Sequence, residues 1–250
     1  MSFYLAVDIG NSNIKLAIFK KNEIKDVFLF KTKKFKDGNP DIIDTKLIKM
    51  LKNVDEALLI SVVPEVTEKI VNKIKKVKNI KIHGIDDFNY NIKIDYDSTA
   101  GEDRLMGIYG AYKLFGKKSL VIDIGSALTF SVLDKNGTFS GGIIGLGPYN
   151  ILNALTQNTS QLSKSQIHQP EESIGKNTND AIDSGIYWMT IGSIEKSVEK
   201  IESQLDYQLT KIITGGGSKI FDEYFKKKRY NIDRYLVLKG INYFLRDNLE

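Results

Sequence analysis

Asp8 and Asp123 each stand near the end of an apolar run and two residues before a glycine, in "VDIGNSN" (7–13) and "IDIGSAL" (122–128). A glycine after a strand-terminal aspartate lets the backbone turn where a Cβ would clash, and leaves amide N–H groups open to an anion. The Asp8 carboxylate, at a strand end, can hold a hydrated Mg²⁺ between phosphates. Asn11, Ser12 and Asn13 add short polar side chains at the first tip, and Lys15 follows on the next strand, either toward a phosphate or toward solvent. One such turn means little, because tight hairpins use these residues for backbone reasons alone. Two turns with matching strands, joined by the glycine run "TGGGS" (214–218), make a less accidental set. Facing one another across a cleft, they could grip a polyphosphate from both sides. The chain has no G-x-x-x-x-G-K-[ST] and no G-x-G-x-x-G, so neither a P-loop nor a Rossmann site is expected.

Composition narrows the chemistry further. The 250 residues contain no cysteine and two histidines, His83 and His168. Disulfides, thiol catalysis and Cys-ligated metals are excluded, a His-rich zinc site is impossible, and a Ser-His-Asp triad is disfavoured. The absence of cysteine suits a reducing cytoplasm, which is the compartment expected. No apolar run approaches the ~20 residues that span a bilayer, so no membrane partner is expected. The net charge of +5 suits acidic partners such as phosphorylated metabolites. The "KKKR" run (226–229) reads as a solvated helix face without an RNA-binding pattern, and no nucleic acid partner is expected.

The elements that must carry these turns are legible from period and punctuation. "FYLAVDIG" and "IKLAIFKKNEI" read as a β-hairpin, and "EALLISVVP" (56–64) as a buried strand closed by Pro64. Helical spacing of Ile70, Val71 and Ile74 follows. "RLMGIYGAYKLFG" (104–116) reads as a helix capped by Gly116. "SLVIDIGSALTFSVLDKNGTFSGGII" repeats the opening hairpin, with Asn136-Gly137 as a second turn. Residues 150–162 and 178–205 read as helices, and "YQLTKIITGGGSKIF" as a strand, a glycine turn and a helix. No linker interrupts the chain. The expected division is therefore a fold duplication, 1–117 and 118–250.

This arrangement resembles the superfamily of acetate kinase, sugar kinases, Hsp70 and actin, and within it the type III pantothenate kinases. The resemblance covers nearly the whole chain. It rests on "DIGNSNIKLAIF" (8–19), "SVVPEV" (61–66), "GEDRL" (101–105), "DIGSALTF" (123–130), "GGIIGLG" (141–147), "GKNTNDAIDSGI" (175–186) and "TGGGS" (214–218). Two departures stand out: Ser126 where the family usually has threonine, and Leu146 where it typically has proline.

The resemblance implies an α/β fold of two duplicated actin-like (ribonuclease H-like) domains with an ATP cleft between them. It implies ATP-dependent phosphorylation of pantothenate, the first step toward coenzyme A. The alternatives are a non-catalytic accessory protein on the same fold, or a kinase for another small hydroxy acid. By the same resemblance Asp103 is the base that takes the pantothenate hydroxyl proton. From the residues alone it is an acid in a helix's first turn, as is Glu102, which fills the variable position of the motif. Arg104 is a clamp for the substrate carboxylate or else an exposed helix arginine; Gly101 lets backbone approach the substrate or starts the helix, and Tyr96 lines the same pocket or is an ordinary packed tyrosine. Asp8, Gly10, Asn11, Ser12, Asn13, Lys15, Gly125, Ser126, Thr129, Gly215 and Gly216 handle ATP and its Mg²⁺, the last two in an adenosine loop. Asp123 holds a monovalent cation, K⁺ or NH₄⁺. Thr178, otherwise readable as a helix N-cap, reaches pantothenate from the partner subunit of a homodimer. Gly185 and Gly192 would let two copies of that helix approach; tight packing within the chain is the other reading.

Overall fold

The computed structural model describes residues 2–38, 45–97, 99–157 and 166–250, in two compact units: Met1–Leu114 with Leu236–Glu250, and Phe115–Tyr235. The first division falls close to the expected duplication boundary. The end of the chain departs from it, because the last helix belongs to the first unit.

The first unit opens with β1 (Phe3–Ile9), β2 (Asn13–Lys20) and β3 (Glu23–Lys31), joined antiparallel by hairpins. Short helices α1 (Thr32–Lys36) and α2 (Thr45–Leu51) lead to β4 (Val54–Ser61), which runs parallel to β1. Helix α3 (Pro64–Val77) begins on Pro64, whose missing N–H costs nothing at a helix start. It returns the chain to β5 (Lys81–His83), parallel to β4, and a two-residue β6 (Lys93–Ile94) precedes α4 (Glu102–Phe115). The sheet order is β3-β2-β1-β4-β5. Its central strands are near-continuous apolar runs because both faces are covered: Leu5, Ala6, Val7 and Ile9 of β1 and Ala57, Leu58 and Ile60 of β4 are all buried.

The second unit repeats this plan. β7 (Ser119–Ile124), β8 (Ala127–Leu133) and β9 (Thr138–Leu146) are antiparallel neighbours. After α5 (Pro148–Gln157) and α6 (Thr178–Leu205), β10 (Thr210–Thr214) pairs parallel with β7. Helix α7 (Asp222–Lys227) connects to β11 (Asn231–Ile232), parallel to β10. The order β9-β8-β7-β10-β11 mirrors β3-β2-β1-β4-β5, strand for strand and direction for direction. Asp8 and Asp123 thus occupy equivalent places, next to last on β1 and β7. Of the helix expected over 150–162, residues 158–162 lie outside the described residues.

Turn chemistry follows the sequence. Gly116 (φ +80°) ends α4, and Gly137 (φ +85°) turns β8 into β9. There the Asp134 carboxylate accepts the N–H groups of Asn136 (2.8 Å) and Thr138 (2.7 Å).

The final helix, α8 (Leu236–Leu249), packs on the first unit's sheet and against α4. The two helices meet backbone to backbone. A Cβ on Gly240 would lie 1.8 Å from the Met106 carbonyl oxygen, and one on Gly110 would lie 2.6 Å from that of Leu236. Tyr109 donates to Asp247, which also pairs with Lys113 at 2.7 Å. Asn242 donates to the Lys21 carbonyl at 3.0 Å, tying α8 to the β2–β3 turn.

Backbone contact leaves no room for a methyl group. Gly240→Ala is expected to destabilise the protein by about 3 kcal/mol, lowering Tm by roughly 10 °C. A Tm equal to wild type in a calorimetric scan would contradict this packing.

Candidate active site

In the first unit the register of β1 on β2 sets Asp8 opposite Lys15, and their side chains meet at 2.9 Å. Asp8 is only 7% exposed, so its charge is held in a medium where neighbouring charges act strongly. Lys15 is therefore committed to Asp8, not a solvent-facing strand lysine. Beyond them the hairpin tip is built from backbone. Gly10 N–H donates to Asn13 C=O (3.0 Å), Thr32 N–H to Ser12 C=O (3.1 Å), and the Thr32 hydroxyl to Gly10 C=O (2.6 Å). Asn11 and Ser12 are exposed at the tip, and Asn13 Oδ1 is buried without a hydrogen-bond partner among the described residues.

Asp103 and Arg104 lie in the first turn of α4. Gly101 makes room for the acid: a Cβ there would stand 2.6 Å from Asp103 Oδ1. That oxygen accepts the Arg104 N–H at 2.8 Å. Burial, and next the negative charge of Asp8, push Asp103 above the usual carboxylate range, while the Arg104 N–H, its guanidinium and Lys15 pull the other way. The buried Arg104 lays its guanidinium 5.3 Å from the centre of the half-exposed Tyr96 ring. Asp8, Lys15, Gly101, Asp103, Arg104 and Tyr96 thus form one cluster. Glu102, the other acid of the motif, is turned elsewhere: its Oε2 accepts the Ser61 N–H at 2.8 Å. Burial raises its pKa as well, and the Ser61 N–H partly offsets this.

In the second unit Asp123 pairs in register with Thr129 on β8 and with Thr214 on β10. Three glycine turns close around the Asp123 carboxylate and the adjoining backbone. A Cβ on Gly215 (φ +95°) would stand 2.2 Å from Asp123 Oδ1, and one on Gly125 would stand 3.2 Å away. Gly147, just before α5, packs on the β7–β8 turn, where its Cβ would meet Gly125 C=O at 2.0 Å. The Ser126 carbonyl accepts both Gly147 N–H (3.0 Å) and Asn150 Nδ2–H (2.9 Å). Gly217 N–H donates to Ile124 C=O at 2.8 Å, while Gly216 faces open space. Leu146 ends β9, exposed, and the helix-starting proline here is Pro148.

Helix α6 corrects one expectation. Its N-cap is Asn177, whose side chain accepts the Asp180 N–H at 3.0 Å; Thr178 is the exposed first helical residue. Ile186 points inward, packed with Leu152 and Ile167. Among the described residues nothing lies within 4 Å of the Cβ positions of Gly185 and Gly192. Trp188 and Met189, 42% and 63% exposed, share that open side of the helix.

A sequence profile of the type III pantothenate kinases matches residues 4–200. A type III pantothenate kinase from Sulfurihydrogenibium sp. (strain YO3AOP1) is 34% identical, covering 96% of this chain and 98% of its own. One from Dictyoglomus turgidum (strain DSM 6724 / Z-1310) is also 34% identical, over 98% of this chain and 99% of its own. The chain belongs to the type III pantothenate kinase family.

Its fold agrees. The (R)-2-hydroxyglutaryl-CoA dehydratase component A of Acidaminococcus fermentans superposes with a TM-score of 0.56 at 13% identity, covering 100% of both chains. Both units are α/β domains of the actin-like type. As a type III pantothenate kinase the enzyme uses ATP to phosphorylate pantothenate to 4'-phosphopantothenate, opening coenzyme A biosynthesis. That decides against the accessory-protein reading and the other-hydroxy-acid reading. No helix among the described residues is long and apolar enough to cross a membrane.

Some residues that shape this candidate site were missed in the sequence. Gly147 and Gly217 lie in the glycine-rich stretches 141–147 and 214–218, but their backbone contacts are with residues distant in the chain. Thr32, which fastens the first turn, follows a strand and carries no local signal at all. Glu102 was set apart from Asp103 by its variable place in the motif, but its partner, the Ser61 N–H, shows only in the structure.

Proposed function

We propose that Asp103 is the general base of the pantothenate kinase reaction and that Arg104 binds the substrate carboxylate. The observation that carries this reading is a half-buried carboxylate of raised pKa, set one residue from a buried guanidinium. Asp103 takes the proton of the pantothenate hydroxyl as that oxygen bonds to the γ-phosphorus. The bond from the γ-phosphorus to the bridging oxygen breaks, and ADP leaves. Because phosphoryl transfer states are loose, orientation matters more than base strength. Arg104 offers a planar fork for a carboxylate, its plane fixed against Tyr96. Gly101 leaves the space in which the base sits.

Asp8 and Lys15, with Gly10, Asn11, Ser12 and Asn13, serve the phosphates of ATP. Gly125, Ser126 and Thr129 also serve the phosphates, and Gly215 and Gly216 serve the adenosine. No cluster of three or more His, Asp or Glu side chains suited to a metal occurs among the described residues. This fits Mg²⁺, which keeps its waters and needs only one or two carboxylates besides phosphate oxygens. Asp8 is the residue that would hold it; when bound, the ion neutralises charge developing on the phosphates. Asp123, a carboxylate among backbone oxygens, suits a monovalent cation such as K⁺ or NH₄⁺. Replacing K⁺ by Na⁺ at equal ionic strength is expected to lower the ADP-release rate sharply, and equal rates would count against this site.

The functional unit is a homodimer in which each pantothenate pocket takes Thr178 from the other chain. The open side of α6, with Gly185, Trp188, Met189 and Gly192, supports it, since a two-fold interface sets this helix against its own copy. Mixing Asp103→Asn with Thr178→Arg, each inactive alone, tests base and dimer together. In a mixed dimer one pocket pairs an intact Asp103 with an intact Thr178, so pantothenate-dependent ADP release returns. No recovery, with mixed dimers proven by mass spectrometry, would contradict the shared pocket.

A further inference from the structure

The first unit contains a contact that the reaction scheme does not use. Strand β5 ends in register with Leu58, so β4 runs on past its outer neighbour to Ser61. From Ser61 onward, three successive backbone N–H groups have separate acceptors. Val62 N–H goes to Ile9 C=O on β1 (3.0 Å), and Val63 N–H goes to the Ser61 hydroxyl oxygen (3.0 Å). The same oxygen accepts from the Thr67 hydroxyl at 2.7 Å, which fixes the start of α3. The Ser61 N–H is taken by Glu102 Oε2 at 2.8 Å, across 41 residues of sequence. One carboxylate therefore joins the first turn of α4 to the end of the strand beside β1. Asp8 lies on β1 in register with Ile60, one residue before Ser61. Asp103 follows Glu102 directly, its own carboxylate folded over Gly101.

We infer that Glu102 is a positioning residue, whose bond to the Ser61 N–H sets the first turn of α4 so that Asp103 is held at its working distance from Asp8. This deepens the proposed function and rests on Asp103 being the base. The favourable placement of an acid near a helix N-terminus does not by itself explain the contact, because that effect asks for a charge in the first turn and no particular partner. The bond to Ser61 asks for reach and an acceptor. Those two requirements are separable by substitution. Glutamine keeps both and loses the charge. Aspartate keeps the charge and loses the reach. Alanine loses everything.

The experiment measures steady-state ADP release with pantothenate for wild type, Glu102→Ala, Glu102→Asp, Glu102→Gln and Asp103→Asn, with a thermal scan of each. A misplacement of about 1 Å in a catalytic group lowers rate on the order of 100-fold. The expected result is kcat down roughly 10- to 100-fold in Glu102→Ala and Glu102→Asp, with KM for ATP unchanged. Glu102→Gln should recover most of the wild-type kcat. A wild-type kcat in Glu102→Ala, while Asp103→Asn is inactive, overturns the positioning role and leaves the base in place. A Glu102→Gln as slow as Glu102→Ala also overturns it, because charge would then matter and the Ser61 bond would not. An active Asp103→Asn removes the base itself, and with it the reading on which the inference stands. If Glu102→Ala unfolds, Glu102→Asp against Glu102→Gln decides the same question in folded protein.

Discussion

Two acids share a poorly solvated corner of the first unit, and the surrounding structure is organised to hold them there. Asp8 is buried and bonded to Lys15; Asp103 is half buried, and the charge of Asp8 adds to its desolvation. Like charges in such a medium repel strongly, and each can stay ionised only with a cation or N–H groups beside it. Lys15 and Arg104 supply the cations, and the Arg104 N–H supplies the hydrogen bond. Holding the acids also takes rigid elements. The antiparallel register of β1 on β2 fixes Lys15, and the parallel register of β1 on β4 fixes the strand end to which α4 is tied. Behind them α8 presses on α4 through glycine backbones, so the helix carrying the acid has little freedom to recoil.

The second unit solves a different problem with the same topology. Its strand-terminal acid meets no lysine across the hairpin; Thr129 occupies that register position. Around it the chain brings backbones closer than any side chain permits, at Gly125, Gly147 and Gly215. Closely approached backbones present carbonyl and N–H groups at fixed positions, which suits phosphates and a weakly bound cation better than long side chains would. The duplicated fold thus carries two kinds of turn: one of paired charges, one of packed backbone.

How much of this was legible depended on whether the signal was local. Alternating and continuous apolar runs marked both hairpins and β4. Pro64, Gly116 and Asn136-Gly137 marked boundaries through their own backbone preferences, and α6 spans the residues that its pattern indicated. Asp8 and Asp123 were visible because motif and turn coincide, and Asp103 only through the family resemblance of its motif. The return of α8 to the first unit was not visible, since Gly240 shows its purpose only beside Met106, far away in sequence. The same holds for Glu102, whose meaning lies in the N–H of Ser61. Thr178 was legible as a helix start but not as distinct from the cap, because Asn177 and Thr178 are both good capping residues and only geometry selects one.

Holding an ionised Asp103 in this corner must cost stability, and that cost is measurable without reference to turnover. Its pKa is raised on folding, so the unfolded chain releases the proton first as pH rises from the ordinary value of 3.8. Stability therefore falls through the window between that value and the raised one, and the loss persists at neutral pH. Asparagine has nearly the same shape and no charge to desolvate. The decisive measurement is the Tm of wild type and Asp103→Asn across pH. The account predicts a more stable variant at pH 7, with the difference shrinking as pH falls through the window. A variant equally or less stable at pH 7 would contradict the claim that the fold holds this acid against its own solvation.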